Sequence, residues 1–266
     1  MTSAEELETR GYYLALKQLV EEMYEQNGKT KVSIVAHSYG GPISLYFLTR
    51  GIVTQEWKDT YIENYIPLAA SWSGSNSALT TWINGLLEPG ILGISQNLTS
   101  VVRSLQSTYF LLPHPLIWND TILIITPTRK YTANDYQALF EDGGYPQGYS
   151  QYINLGDSYS KWPAPNVPTH CFYGTGLPTP FRFIYDEGFP DRQAVDTESG
   201  DGDGTVNLES SMICRRWSNS NGGYLFSGRA FKGVDHDGMI ANEIVLNAIA
   251  SIVRAPTDLL RGKRLH

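Results

Sequence analysis

KVSIVAHSYGGPISLYFLTR, residues 31–50, runs from one apolar segment into another across a single serine flanked by small residues. Val32, Ile34 and Val35 read as a buried strand, and from Pro42 to Leu48 apolar residues recur at helical spacing. Between them lie His37, Ser38, Tyr39 and Gly40. Ser38 is either a nucleophile on a strand-to-helix turn or an ordinary serine in a tight loop. Residues 36–40 form a G-x-S-x-G elbow with alanine in the first small position. Such an elbow needs small residues two before and two after the serine, so that strand and helix can approach while Oγ projects from the sheet. Gly40 and Gly41 meet that need, and Ala36 is compatible with it.

A serine hydroxyl is a poor nucleophile at neutral pH and needs a base. The chain has five histidines. His37 adjoins the serine and is expected to point elsewhere on the turn. His266 is terminal, His114 sits in an irregular region, and His170 lies in an apolar strand where a core role is expected. His236, in GVDHDGMI, follows a strand and precedes a helix near the C-terminal end, where the order serine, acid, histidine puts the base. The acid should lie between the two, and GDGDGTV, residues 200–206, offers Asp201 and Asp203. The spacing does not fit a calcium loop, because Val206 stands where a glycine is required. A plain acidic turn remains the alternative.

The bulk composition narrows the setting. A chain of 266 residues can bury a real core. With 41% hydrophobic and 18% charged residues it is not compositionally disordered. The formal net charge of −7, with no basic stripe, argues against a nucleic-acid partner. No apolar run approaches the roughly 18 residues of a membrane helix, and the polar first residues, MTSAEELETR, are not a signal peptide. Cys171 and Cys214 read equally as buried thiols or as a bridge. The sequons at Asn97 and Asn119 favour a lumenal or secreted compartment, where a disulfide persists.

Along the chain, residues 5–26 read as a helix with Leu16, Leu19, Val20 and Met23 on its apolar face, stopped by Asn27-Gly28. YIENYIPLAA reads as a core strand. Residues 75–161 lose the strand-helix alternation and are rich in Ser, Thr, Asn, Tyr and Pro, which points to an insertion lying over the core. The strand pattern returns in VPTHCFYGTG, followed by DTESGDGDGTVNL as a loop. A last helix, residues 243–253, has Ile244, Leu246, Ile249 and Val253 on one face. The expected domains are a core at 1–74 with the elbow, a cap-like insertion at 75–161, and a core at 162–266 with the acid and base loops.

Several stretches are specific enough to compare as a set: VSIVAHSYG, YFLTR, WKDTYIENYIPLAASWSGS, ITPTRKYTANDYQALFEDGGY, HCFYGTGLPTP, FPDR, GDGDGTVNLESSMICRRW and HDGMIAN. Together they resemble the lecithin:cholesterol acyltransferase family, and within it the lysosomal (group XV) phospholipase A2 branch. The resemblance implies an α/β-hydrolase with Ser38 as nucleophile, His236 as general base and Asp203 as its acid. Asp203 is preferred to Asp201 because the family acid directly precedes the Gly/Asp-Thr-Val triplet. It also implies the Tyr39 backbone N–H as an oxyanion donor and a Cys171–Cys214 disulfide. The family usually has Met at position 39, to which a backbone donor is indifferent. It has PWGG where this chain has Ser71-Trp72-Ser73-Gly74, which bears on the shape of that loop.

The activity implied is cleavage of glycerophospholipid acyl esters through an acyl-enzyme. The acyl chain passes to water or a lipid alcohol at a membrane or lipoprotein surface, without cofactor or metal, in a lysosomal or secreted glycoprotein. Family members carry a long segment ahead of the helix that opens this chain, with early strands, a lid and a second oxyanion donor. The resemblance therefore implies a partial α/β-hydrolase, inactive or poorly folded unless that part is supplied. Loss of one oxyanion donor alone costs on the order of 10²–10³ in rate. A phospholipid:diacylglycerol acyltransferase-like enzyme and a non-catalytic lipid-binding remnant are the alternatives.

Overall fold

The computed structural model describes residues 11–85, 98–155 and 161–254. Helix α1 (Tyr12–Gln26) closes with the Asn27 N–H donating to Met23 O, and Gly28 turns the chain at φ 64°. Strand β1 (Val32–His37) follows, and α2 (Gly40–Thr49) begins three residues after its end. Helix α3 (Gln55–Tyr61) starts at Thr54, whose hydroxyl accepts the Trp57 N–H, and runs directly into β2 (Ile62–Leu68). Two later strands, β5 (Thr169–Thr175) and β8 (Phe226–Lys232), complete an all-parallel sheet in the order β1-β2-β5-β8.

Parallel pairing requires crossover connections, and these cover both faces of the sheet. Side chains along β5 alternate accordingly. Cys171 and Tyr173 enter one layer with Tyr13, Phe47, Trp57, Trp72 and Trp217. Phe172 enters the opposite layer with Ile66, Leu68, Phe231, Val245 and Ala248. Cys171 is bonded to Cys214, which lies on a 3₁₀ helix (Met212–Asn219). Closing a 43-residue separation in this way stabilises by about 4 kcal/mol on the chain-entropy model. Among the described residues β1 is an outer strand, and Val35 on it is 47% exposed.

A second sheet has the order β4-β3-β6-β7, formed by β3 (Ile124–Ile125), β4 (Lys130–Tyr131), β6 (Leu177–Ile184) and β7 (Asp196–Gly202). Around its aromatic core of Trp82, Tyr109, Trp118, Tyr131, Tyr136 and Phe140 pack six short helices. These are α4 (Ser77–Asn84), α5 (Thr99–Ser104), α6 (Gln106–Phe110), α7 (Pro115–Trp118), α8 (Tyr136–Asp142) and α9 (Gly148–Ile153). The unit built around this second sheet thus draws on two stretches, 77–155 and 177–202. Residues 196–202 were expected to be a loop and instead form β7. That strand has solvent on its outer side and is held by antiparallel pairing to β6 and by the Arg182–Glu198 ion pair at 2.7 Å, so it needs no apolar alternation.

Two helix faces also differ from expectation. In α1 the buried side is Tyr13, Leu16 and Val20, whereas Leu19 and Met23 are exposed. In the last helix, Val245, Ala248, Ile249 and Ile252 face the core and Ile244 is 61% exposed. That helix is apolar on nearly every side, so its periodicity does not single out a face.

Gly41 sits where α2 passes Ala70, just beyond the end of β2. A Cβ there would lie 2.4 Å from the Ala70 Cβ, and both atoms are rooted in backbone. Gly41→Ala is expected to cost about 1–3 kcal/mol as overpacking, read as a lower urea midpoint with an unchanged slope. His170, on β5, is buried with its Nε2 unpartnered, and burial pulls its pKa below the ordinary 6.5. The folded form therefore keeps it neutral while the unfolded chain protonates near 6.5. Its contribution to stability is fully present above that pH and is lost as pH falls below it. The urea midpoint of His170→Leu should fall less between pH 7 and pH 5 than that of the parent; an equal fall counts against this account.

Candidate active site

Ser38 occupies the two-residue joint between β1 and α2, and its φ of 54° is left-handed. For a residue with a Cβ that conformation costs roughly 1–2 kcal/mol. It is held from both sides: the Ser38 N–H donates to Leu68 O at 2.9 Å, and the Gly41 N–H donates to Ser38 O at 3.0 Å. The first bond fastens the turn to the end of β2. The serine consequently stands at the carboxyl end of the parallel strands, where open α/β sheets bind ligands. Tyr39 is the N-terminal flanking residue of α2, and its ring lies 5.0 Å from that of Phe110 on α6.

Asp203 follows β7 and turns inward, with 1% of its surface exposed. One carboxylate oxygen, Oδ1, accepts the Thr205 and Val206 N–H groups at 3.0 and 2.7 Å. The other, Oδ2, is 2.9 Å from His236 Nδ1. His236 stands in the turn after β8, and its own N–H donates to Asp203 O at 2.9 Å. Its Nε2 is 2.9 Å from Ser38 Oγ. A carboxylate only accepts, so Nδ1 carries the proton and Nε2 presents its lone pair to the serine hydroxyl. The close approach of the two loops depends on Gly174 at the end of β5. A Cβ there would lie 2.4 Å from Val234 O and 2.6 Å from the Asp203 Cβ.

The structure therefore brings Ser38, His236 and Asp203 into one hydrogen-bonded line. Asp201 stays outside it: exposed, it accepts from the Gly176 N–H at 2.5 Å and from the Thr175 hydroxyl at 2.9 Å. Those bonds, the Gly176 one foremost, lower its pKa. His114 accepts the Leu116 N–H at the start of α7, and His170 is in the core. His266 and Asn97 lie outside the described residues. Asn119 is exposed in the turn after α7. In the loop 71–74 the Ser73 N–H donates to the Ser210 hydroxyl, and Gly74, at φ 73°, packs against the Leu111 and Leu112 carbonyls.

One contact was not expected from the sequence. His37 Nε2 lies 2.9 Å from the backbone oxygen of His236, and the two rings are 4.6 Å apart. Burial, and then the neighbouring His236, lower the pKa of His37. Among the described residues no group of three or more His, Cys, Asp or Glu side chains is arranged to hold a metal. No helix among them is long and apolar enough to cross a membrane.

Comparison with known proteins gives the family and the fold. The lecithin:cholesterol acyltransferase family model matches residues 3–161 and 144–227. A lysosomal phospholipase A and acyltransferase of Canis lupus familiaris is 36% identical over 255 residues, covering 92% of this chain and 59% of that protein. A phosphatidylcholine-sterol acyltransferase of Gallus gallus is 36% identical over 236 residues, covering 88% of this chain and 56% of that protein. The chain thus spans a little under three fifths of the length of these relatives. Among solved structures, that of the Tle4-Tli4 complex superposes with a TM-score of 0.62 at 14% identity, over 97% of this chain and 67% of that one. The fold is that of the α/β-hydrolases, and the chain belongs to the lecithin:cholesterol acyltransferase family.

Proposed function

We propose that this chain carries the acyl-transfer centre of a serine-dependent phospholipase A and lipid O-acyltransferase. The observation that carries the reading is the line from Ser38 Oγ through His236 to Asp203, each link 2.9 Å long. In it Ser38 Oγ attacks the acyl ester carbonyl of a glycerophospholipid while its proton passes to His236 Nε2. Asp203 holds the imidazole in the productive tautomer and stabilises the imidazolium that forms. The tetrahedral intermediate collapses, and His236 gives its proton to the leaving lyso-lipid oxygen. The ester on Ser38 is then attacked by water or a lipid alcohol, with His236 again taking the proton. The Tyr39 N–H, at the start of α2, donates to the oxyanion.

The second sheet and its helices serve as the cap over the acyl chain. The Tyr39–Phe110 contact, which joins the elbow directly to α6, supports this role. An apolar cover of this kind excludes water while the acyl-enzyme persists. The substrate is a phospholipid presented at a membrane or lipoprotein surface. A lumenal or secreted location fits both the Cys171–Cys214 bond and the exposed sequon asparagine Asn119.

Three measurements test these readings. A fluorophosphonate probe on the intact protein should label Ser38; a folded protein that stays unlabelled there sinks the catalytic reading. In the same protein Ser38→Ala should reduce phospholipid cleavage by a factor on the order of 10⁶, and Asp203→Asn by about 10⁴. For the compartment, Asn119 should carry an N-glycan in the protein from its native source. Peptide mass mapping before and after glycosidase treatment reads this directly, and an unmodified Asn119 peptide argues against it.

A further inference from the structure

We propose that His37 is the positioning residue that fixes the general base to the nucleophile's own strand. The inference rests on the catalytic reading of Ser38 and His236 and adds a fourth member to that site. His236 is held at four atoms. Its N–H and its Nδ1 are both bonded to Asp203, its Nε2 meets Ser38 Oγ, and its carbonyl oxygen meets His37 Nε2. A carbonyl oxygen only accepts, so the His37 Nε2 carries the proton and donates it.

These four bonds do different work. The two to Asp203 fix the base to the acid, but both residues sit on loops, after β7 and after β8. They leave the distance of the acid–base pair from the elbow to the packing of the two loops against β5 and β6. The bond to Ser38 sets that distance only while the hydroxyl is free. Once Oγ is an ester oxygen it has no proton to share with Nε2, and that link is lost. The bond from His37 does not involve the reacting atoms and so persists through the acyl-enzyme. It ties the His236 backbone to the last residue of β1, one position before the nucleophile. A displacement of about 1 Å in such a site costs on the order of 10² in rate.

The half-buried ring of His37 also packs near that of His236, so a purely steric role must be separable from a donor role. Three variants separate them. His37→Gln keeps an N–H donor at the ε position and loses the ring. His37→Phe keeps the ring and loses the donor. His37→Met has the length of Gln without a donor, and repeats the comparison should the phenylalanine variant fail to fold. Each is prepared in the intact protein, checked by its melting temperature, and assayed with an activated acyl ester.

The donor role predicts that Phe and Met each lower kcat on the order of 10² with little change in KM, and that Gln recovers most of the loss. It also predicts that deacylation suffers more than acylation, so that Phe and Met variants release a burst of leaving group and accumulate acyl-Ser38. Activity that follows ring volume, with Phe above Gln, overturns the proposal in favour of packing. So does a Met variant that turns over as fast as the Gln variant. A parent protein unlabelled at Ser38 by fluorophosphonate overturns the catalytic reading itself. A labelled parent with an unimpaired Phe or Met variant overturns the His37 role alone.

Discussion

The structure hangs on one strained residue. Ser38 adopts φ 54° because β1 must end and α2 must begin within two residues. Nothing in the serine favours that conformation, so its surroundings have to impose it. They do so with the bond from the Ser38 N–H to Leu68 O and with the absence of a side chain at Gly41, which lets α2 rest on Ala70. The Tyr65 hydroxyl, buried beneath the helix, donates to Gly41 O at 2.8 Å and lies 3.0 Å from the Ser44 hydroxyl. Burial pushes its pKa above the ordinary range, so it remains a donor. Helix, strand and turn are therefore fastened at three places, which fixes the backbone from which the Ser38 hydroxyl projects.

The second requirement is that two loops far apart in sequence meet at that hydroxyl. β5 and β8 pair in register over seven positions, from Thr169 with Phe226 to Thr175 with Lys232. Their ends are consequently level, and the turn after β8 emerges beside the end of β5. Gly174 then allows the Asp203 backbone and Val234 to close over the sheet edge. The disulfide acts on the same group of elements, since it ties β5 to the 3₁₀ helix that leads into β8. Two buried cations reinforce the periphery. Lys58 Nζ donates to Leu48 O and Pro165 O, and Arg103 donates to Trp82 O and Ile83 O. Leu48 O, Trp82 O and Ile83 O lie at the C-terminal ends of helices, where the backbone dipole favours a cation, while Pro165 O belongs to a loop.

What the sequence disclosed follows from how local each constraint is. The elbow was legible because its strain has to be relieved by small neighbours within two residues of Ser38. His236 was legible by elimination among five histidines and by chain order. Asp203 was separable from Asp201 only by resemblance, because both stand in the same glycine-rich run and differ in what lies across from them. Strand β7 was illegible because partner strand and ion pair hold it, not its own pattern. The buried face of the last helix was illegible for the opposite reason, apolar residues lying on almost every side. The His37 contact reaches across 199 residues, and no spacing rule could have announced it.

The placement of Asp203 also constrains how the second sheet can behave. Its backbone bridges to Leu177 on β6, and the next N–H, of Gly204, donates to the Thr179 hydroxyl on the same strand. Asp203 is thus attached to the aromatic unit as well as to His236. Further bonds cross the same junction: Asn76 N–H to Asn207 Oδ1, Asn207 Nδ2 to Pro180 O, and the Ser75 hydroxyl to Thr205 O. Ser75, Asn76 and Asn207 are buried while Thr205 and Pro180 are partly so, and breaking a bond at a buried member would leave a polar group unpaired away from water, at a cost of roughly 1–3 kcal/mol each. A second sheet that swung away as a rigid body would have to break several at once and would pull Asp203 from His236. Any movement of the second sheet relative to the first must therefore come from segments that lack these bonds, and the strand pair β6–β7 moves with Asp203 or not at all.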